Sequence, residues 1–523
     1  MAVTKMAGQM RSRYRHWFGR ARKLRPAEHA SVAVALGLIL AAGLLLRIVF
    51  WYGLVTVDPY AYADSAASIA RWKPVFDPDI VGNLYYTQYT RLSLTVPTAL
   101  LYRLFGPGEV VSTVVPIGAS LGIALIAFSM AFRVAGSRAG LVAAFLACVF
   151  PLNVINSTQF LPDTMMAFFT GLTMLLFLSG FQSHTPRRRV LLYFATGVVW
   201  ALAFYAKQTA VAVAIPFAVL VVIRRRFHFQ LGAGVPGALL VVAAVQVLLM
   251  NLGGAFLEDI RTVITEGRTV QPGALGYTDL DLSYIRDLVS DPMFLPTTIL
   301  FGVGLVAILA AEGWRGFVKG DAFPLVVLVA GQYLYFEFLM RLPSLYSWWK
   351  EPRYVLSMLI PMFALAGIGL SRWPGLLSGG GRRAAGLYVA GGLLFAFGVT
   401  LSTVRDDHTY WRANRIDAVA IELADAIERE PPATVFTWDD DLARYLSFHL
   451  GLDRTTVYER TRNEGLVRNR FDPKEGHDLV EPGSLVVVNE GQDQPGLVTA
   501  VPESWQQVWE KPGVLKLYRV PVP

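Results

Sequence analysis

Long apolar runs recur along almost the whole chain, and this constrains its fold more than any other feature. The first covers about 31–55. Others lie near 111–134, 140–155, 160–181, 190–205, 208–223, 231–252, 295–312, 323–340, 354–371 and 385–404, about eleven in all. A bilayer span takes roughly 20 predominantly apolar residues, and several of these runs are nearer about 16. The 523 residues are 54% hydrophobic and only 16% charged, where a soluble domain carries roughly 25% charge. Mean hydropathy is +0.44. These values exclude a soluble enzyme, a disordered chain and a fibrous one. They predict a polytopic α-helical membrane protein.

Charge orients the runs. The cytoplasmic side of a membrane protein collects Lys and Arg in its short loops. Residues 1–30 carry Lys5, Arg11, Arg13, Arg15, Arg20, Arg22, Lys23 and Arg25, and read as a basic cytoplasmic N-terminus. The run that follows is too long for a cleaved signal core and reads as a signal anchor. On that assignment the inside loops hold Arg133 and Arg138, Arg187–Arg189, Arg224–Arg226, Arg315 and Lys319, and Arg372, Arg382 and Arg383, with acidic residues nearly absent. Every inside loop obeys the rule. The protein is expected in the cytoplasmic (inner or plasma) membrane, multi-pass, with its N-terminus inside and its C-terminal part outside.

The net charge of +8 is unevenly spread. Residues 405–523 hold 21 Asp/Glu and 14 Lys/Arg, a local net of −7, which leaves +15 on the rest. An acidic tail and basic residues confined to short loops offer no nucleic-acid surface. The single cysteine, Cys148, excludes an internal disulfide and a Cys-based metal site.

Three organisational units follow: 1–30, a membrane region 31–404, and a tail 405–523. The membrane region has outside loops at 54–110, 253–294 and 341–353. The first is moderately amphipathic and aromatic (Tyr60, Tyr62, Trp72, Tyr85, Tyr86, Tyr89), as suits a segment lying along the interface. In the tail, 411–429 reads as a helix stopped by Pro431–Pro432. A strand over 433–438, a helix over LARYLSFHLG, and strands in TTVYE, SLVVVNE and VLKLYRV follow. That alternation predicts a small extracytoplasmic α/β domain.

Ionisable groups in or at apolar spans are costly and often functional. Arg47, Asp163, Lys207, Glu312 and Glu337 fall in this class. Arg47 and Glu312 lie near span ends, where a long side chain can reach the interface. Asp58 follows the first span in VTVDPYAYADSAASIA. A carboxylate held there can accept a proton from a hydroxyl, or simply cap a helix before Pro59. Asp64 is similar. Asp163 sits after Pro162 where a helix begins, so capping competes with function. Lys207 lies at the turn between two short spans, where its ammonium can meet a phosphate as a point charge or snorkel. The loop RLPSLYSWWKEPRYVLSMLIP sets Arg341, Lys350 and Arg353 among Trp348, Trp349 and Tyr354. Cations beside interfacial aromatics suit a lipid phosphate, and they equally suit plain anchoring. Asp406–Asp407–His408 falls short of a metal-ligand set.

Taken in order, VDPYAYADSAASIARW, YTRLSLTVPTALLYRLFG, QFLPDTMMAFFTGL, ALAFYAKQTAVAVAIP and EPRYVLSMLIPMFALAG resemble the GT-C membrane glycosyltransferases. The resemblance is to the branch with bacterial aminoarabinose transferases and protein O-mannosyltransferases, and it runs over roughly 30–370. It implies a GT-C fold, a polyprenyl-phosphate-linked sugar donor, and an envelope lipid, glycan or protein as acceptor. It implies a catalytic base at Asp58, a second acidic position at Asp163, and carrier-phosphate contacts at Lys207 and Arg353, with Tyr354, Lys350 and Arg341 beside them. Many relatives have Asp-Glu at the first motif. Here Pro59 follows Asp58, so Asp64 remains an alternative partner or base. No cofactor is required by the sequence, and divalent-metal dependence stays open.

The implied chemistry suits these residue types. A departing phosphate needs no general acid but gains negative charge. Fixed cations stabilise it, at roughly 2.7–4 kcal/mol per donor. The competing readings are a flippase or other transporter of lipid-linked sugars, and a non-catalytic envelope assembly protein. Matched halves would favour the transporter, and the sequence shows none.

Overall fold

The computed structural model describes residues 26–55, 57–72, 91–225, 227–251, 283–339, 352–376 and 381–413. In the tail it describes 417–431, 433, 435–437, 446, 457–458, 482–489, 504–512 and 515–522. Sixteen α-helices are named in chain order: α1 (Pro26–Val49), α2 (Val57–Ala70), α3 (Leu92–Phe105), α4 (Glu109–Ala135), α5 (Ser137–Val149), α6 (Pro151–Thr158), α7 (Pro162–Gln182), α8 (Pro186–Ala206), α9 (Ala214–Arg224), α10 (Gly234–Asn251), α11 (Ser283–Ser290), α12 (Leu295–Lys319), α13 (Phe323–Glu337), α14 (Leu356–Leu376), α15 (Gly381–Ala413) and α16 (Asp417–Arg429).

Among the described residues, eight helices are long and apolar enough to cross a membrane. The pair α5 and α6, bent by 54°, makes a ninth. The bend falls at Phe150–Pro151, where proline cannot continue the preceding hydrogen-bond ladder. Two shorter apolar helices, Gln208–Arg224 and Phe323–Glu337, occupy the remaining two runs of the sequence. Each apolar run therefore corresponds to a helical segment. α3 was not among those runs; it is a 14-residue apolar helix inside the aromatic first loop.

α14 is the centre of the bundle. Its residues from Tyr354 to Leu370 are continuously buried, packed among α4, α5, α7, α12 and α13. Small residues let neighbouring backbones approach it, as membrane helix pairs require. A Cβ on Gly369 would lie 2.0 Å from the Gly304 carbonyl oxygen of α12, and one on Gly367 would lie 2.4 Å from the Ala139 carbonyl oxygen of α5. α7 and α9 meet through Phe177 and Phe217, whose rings stack at 3.8 Å.

Arg47 departs from the expectation of a snorkelling residue. It is fully buried. Its Nε donates to Ser120 Oγ at 2.6 Å, and its Nη1 donates to the carbonyls of Gly43 at 2.7 Å and Cys148 at 3.1 Å. It staples α1 to α4 and α5. Glu312 pairs with Arg372 Nη1 at 2.5 Å, joining α12 to α14.

α15 also differs from its expected span. Its helix passes through Arg405–His408 to Ala413, because no Gly or Pro interrupts that stretch. The tail helix therefore begins at Asp417, later than the expected 411. Five strands form the tail sheet: β1 (Val435–Thr437), β2 (Val457–Tyr458), β3 (Leu485–Asn489), β4 (Gln506–Lys511) and β5 (Leu515–Arg519), in the order β2-β1-β3-β5-β4. β1 runs parallel to β2 and β3, and β5 runs antiparallel to β3 and β4. β4 was not anticipated; QQVWEK is too polar to read as a buried strand, and both its first residues are exposed. β3 is buried on both faces. Leu485 and Val487 share one apolar cluster with α16 residues Leu423 and Ile427, and Val486 and Val488 share another with Val520. Except for Leu446, the expected helix LARYLSFHLG lies outside the described residues.

Gly369→Ala should cost about 1–3 kcal/mol through overpacking, read as a lower melting temperature of the detergent-solubilised protein. Gly302→Ala, with nothing within 4 Å of its added carbon, should leave the melting temperature unchanged.

Candidate active site

Pro162 occupies the first turn of α7 and places Asp163 beside it, at the helix end where backbone N–H groups favour negative charge. The side chain is completely buried. A lone carboxylate there would be prohibitively desolvated, so its partners decide whether the site can exist. Lys207 Nζ lies 2.6 Å from Asp163 Oδ1, and Arg353 Nε lies 3.7 Å from Oδ2.

Each partner comes from a 3₁₀ turn or the residue that enters one. α8 ends at Ala206, and Lys207 takes an extended backbone (φ −162°, ψ 135°) before a 3₁₀ turn over Gln208–Val213. That break turns the lysine into the bundle, where it is 4% exposed, instead of letting it snorkel. Arg353 lies in the 3₁₀ turn Pro352–Val355 that leads into α14. The next residue, Tyr354, presents its ring 3.8 Å from Lys207 Nζ. Arg353 keeps 23% of its side chain exposed, so it is the cation that an incoming anion reaches.

Arg91, which the sequence reading passed over, completes the cation group. It precedes α3 and is 4% exposed. Its Nη1 donates to Gln208 Oε1 at 2.7 Å and to the Ala206 carbonyl at 3.3 Å. It is therefore fixed to the same break that carries Lys207. The signal was present in YTRLSLTV, where a lone arginine abuts an apolar run. Three cations thus surround one carboxylate, leaving a surplus of positive charge.

Tyr62 links this group to Asp58. Its buried phenol feels the charges of Asp58, Arg91 and Asp163; burial, then Asp58, pushes its pKa up to about 12. It therefore remains a neutral hydroxyl. Asp58 lies four residues earlier in α2, on the same helical face, and is exposed. Asp64 is six residues from Asp58 and so turns to another face. It is buried and acts on Tyr102 of α3. The geometry brings together Asp163, Lys207, Arg353 and Tyr354, with Asp58 near Tyr62 at the side of the group and Asp64 on another face of α2. Arg341 and Lys350 lie outside the described residues. So do Trp348, Trp349, residues 73–90 of the loop 54–110, and most of the loops 253–294 and 341–353. Among the described residues, no group of three or more His, Cys, Asp or Glu is placed to hold a metal ion.

The sequence profile of the dolichyl-phosphate-mannose-protein mannosyltransferases matches residues 97–250. No curated protein matches the sequence. Among solved structures, ArnT from Cupriavidus metallidurans bound to undecaprenyl phosphate superposes with a TM-score of 0.67 at 16% identity, covering 92% of this chain and 97% of ArnT. The arabinofuranosyltransferase AftD from Mycobacteria gives 0.54 at 16% identity, over 93% of this chain and 40% of AftD. The oligosaccharyltransferase of Archaeoglobus fulgidus in its apo form gives 0.52 at 13% identity, over 88% and 69%. The chain has the GT-C membrane fold that these proteins share.

Lys207→Met would leave Asp163 with Arg353 as its remaining close ion-pair partner. Breaking a buried pair from one side costs about 3–5 kcal/mol. Asp163→Asn in the same protein should recover part of that loss. Thermal unfolding of the two single variants and the double variant measures it, and additive losses would show that the pair is not coupled.

Proposed function

We propose that this protein is an inverting glycosyltransferase that moves a sugar from a polyprenyl-phosphate carrier to a hydroxyl on a lipid, glycan or protein acceptor. The observation that carries the reading is the gathering of Arg91, Lys207 and Arg353 around buried Asp163, with exposed Asp58 linked to them through Tyr62. Its GT-C fold supports it. ArnT, which shares that fold, binds undecaprenyl phosphate.

The cations hold the carrier phosphate, with Arg353 nearest the opening and the buried Arg91 and Lys207 behind it. Asp163 fixes their positions and keeps their surplus charge moderate. The acceptor oxygen attacks the anomeric carbon from the side opposite the phosphate. The bond from that carbon to the phosphate oxygen breaks, and its electron pair leaves with the phosphate. The proton of the acceptor hydroxyl passes to the Asp58 carboxylate. One displacement inverts the anomeric centre and needs no protein nucleophile. The positive charge is present before the phosphate develops its own, so little reorganisation accompanies the step.

By the distribution of Lys and Arg, the N-terminus faces the cytoplasm. The site and the tail, read as a separate small α/β domain over 405–523, then lie at the outer face of the cytoplasmic membrane. There the tail is placed to meet the acceptor.

The test is sugar release and transfer by purified protein, given a panel of radiolabelled polyprenyl-phosphate sugars and a membrane extract. Asp58→Asn should lower turnover by roughly 10²–10⁴-fold while leaving the melting temperature and carrier binding unchanged. An Asp58→Asn protein as active as wild type would overturn the base assignment. A wild type that releases no sugar but carries lipid-linked sugar across proteoliposomes would be a transporter.

A further inference from the structure

Between α1 and α2 the chain runs through a short strap, Trp51–Val55, that leads directly to Asp58. Tyr52, Leu54 and Val55 are buried in it. Two elements of the bundle hold it. On one side, Trp51 Nε1 donates to Thr113 Oγ1 of α4 at 2.9 Å, and the Leu54 amide faces Glu109 Oε2 at 3.4 Å. On another, the Gly53 amide donates to the Thr158 carbonyl at 3.0 Å, five residues before Asp163. Gly53 turns the strap with φ +78°, and a Cβ there would come within 2.4 Å of Glu109 Oε2.

The third hold comes from α15, the helix that continues into the tail. Tyr52 Oη donates to Asp407 Oδ2 at 2.7 Å, with the Val404 carbonyl 3.2 Å away. His408 Nε2 lies 3.1 Å from the Trp51 carbonyl. That oxygen can only accept, so the ring carries its proton on Nε2. The same ring meets Tyr52 edge-on at 5.1 Å and Phe50 at 6.0 Å. Asp406, in contrast, faces Arg405 and Ser402 at the surface. The acidic stretch 406–408 is thus used for a latch, with Asp407 and His408 turned inward.

We propose that Tyr52, Asp407 and His408 are positioning residues: they lock the strap to α15 and so fix Asp58 relative to the cation group. This rests on the reading of Asp58 as base. The cations belong to α3, the break after α8 and the turn before α14, none of which the latch touches. Loosening the latch should therefore disturb proton transfer and spare phosphate binding.

The experiment uses the full chain in detergent, with Tyr52→Phe, Asp407→Ala and their combination. Hydrogen exchange across 51–62 is measured first, since it needs no substrate. Exchange should rise about tenfold in each variant, the scale of one lost hydrogen bond to a charged group. In the transfer assay, kcat should fall about tenfold with KM for the polyprenyl-phosphate sugar unchanged. The double variant should be no worse than the worse single one. Asp407→Asn, which keeps an oxygen acceptor, should recover most of kcat. Unchanged exchange across 51–62 overturns the latch, whatever the protein's activity. So does a loss of kcat that Asp407→Asn fails to rescue, or one matched by a rise in KM and a fall in melting temperature. A wild type without transfer activity overturns the proposed function instead, and the exchange data then decide the latch alone.

Discussion

The ion pair between Asp163 and Lys207 is the interaction on which the site depends. Both side chains are withdrawn from solvent, and each would be untenable there alone. Their union brings the start of α7 to the break after α8. Arg353 adds the turn before α14, and Arg91 adds the start of α3. Four segments distant in sequence thus meet at one carboxylate. Because three cations answer a single anion, the cluster is not a closed neutral bridge. It retains attraction for a further negative group, and Arg353 supplies the partly open face through which such a group enters.

The bundle supplies the rigidity that this arrangement needs. α14 is held on all sides, and its glycines bring α5 and α12 to backbone contact. Arg353 and Tyr354 stand at the very start of that helix, so their positions are fixed by the best-packed element of the molecule. Lys207 and Arg91 are in turn fixed to one another through Gln208 and the Ala206 carbonyl. On the proposed reading, a cation cluster assembled this way costs little ordering when the carrier phosphate arrives.

Most of the membrane architecture was legible in the sequence because hydropathy is a property of long runs, insensitive to detail. Even the short runs at 208–223 and 323–340 correspond to helices, since two helices at a tight turn need only share the bilayer's thickness. What could not be read was local. Nothing in FYAKQTAVAV states that the helix breaks at Lys207, so snorkelling and burial looked alike until the break was seen. Arg91 went unweighed for the same reason: its partners lie 115 and 117 residues away. Arg47 misled in the opposite sense. Its place near a span end suggests the interface, whereas Ser120 and two backbone carbonyls accept from its Nε and Nη1 inside the bundle. The tail strands were legible where both faces are apolar, as in LVVV, and missed where the edge strand β4 is polar.

The two halves of the proposed chemistry are therefore held by different means. The phosphate half is built into packed helices and an ion cluster, where movement would expose charge. The base half sits on α2, whose first turn follows a seven-residue link from α1 and is exposed at Asp58. The rest of α2, from Tyr60 to Ile69, packs its apolar residues into the bundle. Polar holds from α4, the turn at Thr158 and α15 add to that packing at the strap. α15 runs on to Ala413, and the tail's apolar residues share one buried cluster with Leu54, α2, α7 and α8, so the tail is joined to the strap both through Asp407 and His408 and through that packing. On the proposed reading, in which the tail meets the acceptor and Asp58 is the base, the element that sets the distance between base and acceptor is thus attached to the part of the protein that meets the acceptor.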